Sequence, residues 1–358
     1  MKDKSCCHSD STDSSAHPHS HAAKARPFYL KPVFLTLIGI VLLLVLSHLW
    51  PPFSKFHPAF YAYFRMIALP GALGFLIGGV IDYYIPEEYI SKFLARKKRR
   101  TILYAAGLGF LMSACNHGIL ALSMALHRKG ASGPAVVSFL LASPWANLPM
   151  TFILVGFFGW KGVLVILLAL AVAVITGWVF LHLQHRGWIE TNRFSVTLEE
   201  GYSVRRDMAR RIREYRFSGD QVLRDLKGVG RGVLMLTDMV LFWILIGMVL
   251  AGLSAALVPE HFFHRFLGPS LLGLFGTLIA ASILEVCSEG TSPLAFEIYR
   301  QTGAFGNAFA FLMAGVITDY TEIGLLWKNL GPRTALWMMA VTIPQVMMMG
   351  WVLNHFFR

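Results

Sequence analysis

Cys115-Asn116-His117-Gly118 interrupts one long apolar stretch of this chain, and Cys287-Ser288-Glu289-Gly290 interrupts another at a shift of 172 residues. Each motif places polar or ionisable groups and a helix-weakening glycine among apolar neighbours, where both are costly. The flanks repeat too. Gly79, Pro86-Glu87 and Phe93-Leu94 recur as Gly252, Pro259-Glu260 and Phe266-Leu267, each at a shift of 173. Downstream, Gly130 and Gly133 match Gly303 and Gly306, and Phe139-Leu140 with Ala142 match Phe311-Leu312 with Ala314. A duplicated apolar unit with a broken polar centre is the pattern of a secondary transporter.

Composition sets the class. The chain of 358 residues is 55% hydrophobic and 15% charged, with mean hydropathy +0.56, far too apolar for a soluble domain. Apolar runs at 33–49, 66–84, 134–158, 162–183, 233–257, 304–326 and 334–354 approach the length of a bilayer crossing. The first follows about 30 polar residues and ends in Trp50-Pro51-Pro52 with no small-residue cleavage site, so it reads as a retained anchor. The net charge of +12 sits in loops: residues 92–100 hold six Lys/Arg and 186–231 hold eleven. That is the positive-inside pattern, with lipid headgroups as the contact and no nucleic-acid module.

Charge also decides topology. If the motif segments, 101–126 and 270–300, crossed fully, the eleven-charge loop would face outward. If each dips in and returns, the basic loops all fall on the cytoplasmic side with the N-terminus. The expected fold is therefore an all-α polytopic membrane protein. It has an N-terminal span and two inverted-topology repeats, each with a broken or re-entrant hairpin whose motif meets the other near the bilayer centre. The expected organisation is a disordered His/Cys tail (1–32), an anchor (33–64), repeat 1 (65–185), a basic cytoplasmic linker (186–231) and repeat 2 (232–358). Within the linker, residues 202–217 read as a basic amphipathic helix on the inner membrane surface.

The candidate substrate site is Cys115, Asn116, His117, Gly118 and Asn147 from the first repeat with Cys287, Ser288, Glu289, Gly290 and Thr291 from the second. Thiolate and imidazole two residues apart suit Zn(II), Cu(I) or a trivalent arsenical. Glu285, Glu289, Asp319 and Glu322 are carboxyl groups in or beside apolar segments, the usual setting of proton pathways. Asp319 to Glu322 come late in their span, so an interfacial cap is the competing reading. In the tail, Cys6, Cys7, His8, His17, His19 and His21 could capture metal. No phosphate loop, dinucleotide fingerprint, zincin motif or nucleophile elbow is present, so no enzyme activity and no cofactor are expected, and an ion gradient would supply the energy.

A Gly-Gly span ending in Pro-Glu, a Cys-x-[His/Glu]-Gly break and a Phe-Leu-x-Ala helix, twice over residues 65–354, resemble the predicted-permease family that includes ArsP-type organoarsenical efflux permeases and related copper/zinc efflux proteins. The resemblance implies a bacterial inner-membrane exporter, with Cys115 and Cys287 at the family's motif cysteines. Where many members carry Cys-Ser-Cys-Gly followed by proline, this chain has His117 and no proline after Gly118. Zinc and copper are then as open as an arsenical. A permease for a small neutral or anionic solute, and an intramembrane enzyme or assembly factor using the same Cys/His pair, are the other readings.

Overall fold

A computed structural model describes residues 32–84, 94, 99–112, 116–128, 130–192, 213, 218–284 and 288–357. Among these there are helices and no strand, as hydrocarbon requires of a chain that must satisfy its own backbone. In order they are α1 (Pro32–Leu49), α2 (Phe56–Tyr84), α3 (Arg99–Leu111), α4 (Asn116–Arg128), α5 (Gly133–Ala146), α6 (Leu148–Phe158) and α7 (Trp160–His185), then α8 (Gly219–Leu257), α9 (Glu260–Leu267), α10 (Leu271–Leu284), α11 (Ser288–Thr302), α12 (Phe305–Ile317), α13 (Tyr320–Asn329) and α14 (Pro332–Phe356). The protein is an all-α polytopic membrane protein: α2, α7, α8 and α14 are each long and apolar enough to cross alone. Two further spans are broken, α5 with α6 bent by 45° and α12 with α13 by 42°.

The motif segments are hairpins. A helix of 13 residues, such as α3 or α4, rises about 20 Å, short of the roughly 30 Å hydrocarbon core. The hairpin α3/α4 closes at its base, where Ser132 N–H, just after α4, donates to Leu94 O, just before α3, at 3.4 Å. From there α3 runs alongside α5 in the same direction: Ser138 Oγ donates to Ile102 O at 3.5 Å, and a Cβ on Gly109 would meet Ser143 Oγ at 2.9 Å. The second hairpin, α10/α11, closes at a matching place, with Asn307 Nδ2, two residues beyond the counterpart of Ser132, donating to Leu267 O at 2.8 Å and Gly268 O at 2.9 Å. Gly130 (φ 90°) and Gly303 (φ 68°) end the returning limbs in the left-handed region, where a side chain would be strained.

The two repeats are inverted. Gly79 near the end of α2 packs on Val233 in the first half of α8, and Gly252 near the end of α8 packs on Phe56 at the start of α2. The first spans are therefore antiparallel, and each hairpin enters from the face where its own first span ends. One face, called basic below, carries Arg99, Arg100 and Arg128. The opposite face carries the start of α2, the surface helix α9 and the end of α14. The tail and the expected helix at 202–217 lie outside the described residues, apart from Arg213.

Candidate functional site

Four helices begin inside the protein rather than at a face. Helices α4 and α11 start after the hairpin tips, and α6 and α13 start after the breaks in the two broken spans. Each N-terminus presents backbone N–H groups and the positive end of a helix dipole. Two of them are capped by equivalent residues, again at a shift of 172. Asn147 Oδ1 accepts from Met150 N at 2.7 Å. Asp319 Oδ1 accepts from Thr321 N at 2.7 Å and Glu322 N at 3.2 Å. Asp319 thus caps the break between α12 and α13, with α13 running on to Asn329. The run that looked continuous in sequence is split here because Thr318 and Asp319 leave helical geometry.

The second hairpin's tip is packed against the first repeat. Ser292 Oγ approaches Met150 Sδ at 3.5 Å, and it also donates to Ser288 O at 3.1 Å. Ser288 Oγ donates to Glu289 Oε2 at 3.1 Å, and Thr291 Oγ1 donates to Ser288 O at 2.8 Å. Ser288, Glu289, Thr291 and Asn147 are all buried. A Cβ on Gly315 would touch Thr291 Cγ2 at 3.7 Å, so the tip lies between both broken spans. Gly290 is within the first turn of α11, not at the break. Its carbonyl lies against Gly247 of α8, leaving no room for a side chain there.

Ser288, Glu289, Gly290 and Thr291 therefore sit together at the tip, and Ser292 joins them to Met150 in the first turn of α6 that Asn147 caps. Glu322 is buried on the other broken span, and among the described residues neither of its carboxyl oxygens has a hydrogen-bond partner. Trp145 Nε1 is a buried donor in the same condition, two residues before the Asn147 break. Buried polar atoms without partners are rare and mark a place that a ligand, ion or proton can complete. Asn116, His117 and Gly118 form the first turn of α4, their side chains outside the described set. Cys115, Cys287, Glu285 and the tail candidates Cys6, Cys7, His8, His17, His19 and His21 are also outside the described residues.

Sequence reasoning missed a second polar cluster, toward the opposite face. Glu297, 1% exposed, accepts from Tyr63 Oη, from Arg300 Nε and Nη2, both at 2.7 Å, and from Gln301 Nε2 at 2.6 Å. Tyr63 belongs to α2 and Glu297 to α11, so the cluster ties the first span of one repeat to the hairpin of the other. Phe157, Phe296 and Phe158 pack around it. The available signal was spacing: Glu297 follows Glu289 by eight residues, which puts both on one helical face.

A family model described as a predicted permease matches residues 59–355. The chain belongs to that permease family. Its curated relatives include "Putative permease Rv2963" of Mycobacterium tuberculosis, 26% identical over 291 residues, covering 76% of this chain and 70% of the relative. A second is "UPF0718 protein YcgR" of Bacillus subtilis, 25% identical over 254 residues, 70% of this chain and 80% of the relative. A third is the "Putative two-component membrane permease complex subunit" of Streptococcus mutans, 20% identical over 264 residues, 72% of this chain and 80% of the relative. No solved structure matches the chain. The permease family assigns a multi-pass membrane protein that moves a small molecule or ion.

Proposed function

We propose that this permease is a secondary-active exporter of a thiophilic metal or metalloid species, zinc, copper or a trivalent organoarsenical, across the bacterial inner membrane. The observation that carries this reading is where the equivalent helices α4 and α11 begin. Their described residues begin at Asn116 and Ser288, so Cys115 and Cys287 are each the next residue toward the hairpin tip in sequence. A helix N-terminus favours thiolate over thiol. A soft cation bound by Cys115, Cys287 and His117 would in turn neutralise those thiolates. Glu322 is the strongest candidate to carry the coupling proton, since a buried carboxyl group without a fixed partner can take up and release one. Glu289, Asp319 and Glu285 are the further candidates.

Alternating access suits an inverted repeat whose two halves pack differently. In α2, Gly74 packs on Pro149 of α6; its equivalent in α8, Gly247, packs on Gly290 of α11. Exchange of these two arrangements between the repeats would close one face and open the other. In this reading the N-terminus and the basic face are cytoplasmic, which the loop charges favour.

Four helix N-termini directed into one interior favour a second reading, a permease for a small anionic or neutral solute. Uptake into everted membrane vesicles separates the two. Gradient-dependent uptake of Zn(II), Cu(I) or a trivalent methylarsenical, lost in Cys115→Ser, His117→Ala and Cys287→Ser and uncoupled from the proton gradient in Glu322→Gln, is the expected result. No uptake of any of the three by the wild-type protein would remove the thiophilic reading and leave the solute permease.

A further inference from the structure

We propose that a cavity between α3 and α7 at the basic face binds the phosphodiester headgroup of an anionic phospholipid. The cavity has a volume of about 400 Å³ and is lined by Arg99, Arg100, His182 and His185, with Leu103 and Trp178 as its apolar wall. Its construction follows from one glycine. Gly177 of α7 has no side chain, so Ile102 of α3 lies directly on the α7 backbone. Nearer the basic face, nitrogen-bearing side chains from both helices line the opening between them.

Three observations together select the ligand. First, the lining includes two guanidinium groups and two imidazoles but no carboxylate. Among the described residues none of the four side chains makes an ion pair or hydrogen bond. Such convergence of unpaired donors fits a phosphodiester, which guanidinium groups can grip through paired N–H donors. Second, Leu103 and Trp178 are 49% and 46% exposed on the perimeter of a membrane protein, so an acyl chain has an apolar path directly below the headgroup. Tryptophan at this level is the usual membrane-interface anchor. Third, Lys92 and Arg96-Lys97-Lys98 precede α3 in sequence, adding positive charge on the side where anionic lipid is attracted. Free phosphate would use the cationic groups alone, whereas a phospholipid uses the whole cavity. The ligand would anchor α3, the entering limb of the first hairpin, to the membrane surface.

Native mass spectrometry of the delipidated protein with added phosphatidylglycerol, cardiolipin or phosphatidylethanolamine tests this, and it reads binding independently of transport. The two anionic lipids should be retained in preference to phosphatidylethanolamine. Each arginine near an anionic headgroup contributes about fivefold in affinity, so Arg99→Gln with Arg100→Gln should weaken anionic lipid binding by roughly 25-fold and leave phosphatidylethanolamine unchanged. If that variant does not fold, as judged by thermal melting, His182→Gln with His185→Gln should show a smaller loss with the same selectivity. Equal retention of all three lipids, or undiminished anionic retention in a folded variant, would overturn the proposal. Displacement of lipid by millimolar inorganic phosphate would overturn it too, in favour of a free-anion site.

Discussion

The two ends of the central bundle are closed by equivalent helices with unlike chemistry. At the opposite face α6 meets α11, and at the basic face their counterparts α13 and α4 meet. The first closure contains Tyr63 bonded to the buried Glu297, with Arg300 and Gln301 completing the carboxylate and Phe157 stacked on Phe296. At the shift of 173, Tyr63 corresponds to Leu236 and Glu297 to Met124, so the matching residues at the other end are apolar. The basic end is joined by Arg128 Nη2 to Asn329 Oδ1 at 3.2 Å, an exposed bond, beside a cavity of about 710 Å³ that reaches His127, Glu190 and Lys328. One topology thus supports a firmly latched end and a lightly tied one. Under the proposed transport reading this would be a state sealed toward the outside, and release would require the Glu297 latch to break.

The largest expected effect tests the packing that makes the repeats unequal. Gly247→Ala pushes a methyl group into the Gly290 backbone, which cannot swing aside as a side chain could. It should lower stability by about 3 kcal/mol or more, the upper range for overpacking, whereas Gly74→Ala, meeting Pro149 Cα at 2.8 Å, should cost about 1–3 kcal/mol. Thermal melting in detergent measures both, and a wild-type melt for Gly247→Ala would refute the α8–α11 contact.

The latch comes next. Tyr63→Phe and Glu297→Gln, measured singly and together, should show a coupling of roughly 1–3 kcal/mol, as for a buried bond to a charged group. Arg128→Ala should change stability by only about 0–1 kcal/mol because its bond is exposed. Equal effects at the two ends would end the comparison.

The smallest effect concerns pH at the basic end. Glu190 caps α14, accepting from Arg333 N at 3.0 Å and from Thr334 N and Oγ1, both at 2.9 Å. Partial burial alone would raise its pKa, but these hydrogen bonds outweigh it and hold the carboxyl below its ordinary value. A lowered folded-state pKa means stability that is present above the unfolded value and lost as pH falls through the folded one. Acidification should therefore loosen the α7–α14 connection, and Glu190→Gln should flatten that acid dependence in a pH series of melts.

Much of this arrangement was readable along the chain. The motif spacing located both hairpins, and loop charge required them to return, which the Leu94–Ser132 and Leu267–Asn307 contacts bear out. The break at Asp319 was less legible, because the apolar run continues through it and only the cap geometry shows that α13 is a new helix. Gly290 was read as a helix-weakening glycine of the break and its backbone packs against Gly247, since a glycine in sequence says nothing about which backbone lies against it. Met150 carried no signal as a partner of Ser292, because methionine is ordinary in an apolar helix.

The sequence by itself determined the membrane class, the duplication and the inversion. These follow from periodic burial in hydrocarbon and from charge asymmetry, both local properties of the chain. Only the tertiary structure decided that Tyr63 meets Glu297 across 234 residues, that Gly74 and Gly247 face different partners, and that Glu322 is enclosed with no bond among the described residues. Those outcomes depend on which helices pack together, and equivalent residues in two inverted copies need not share neighbours when the copies adopt different packings.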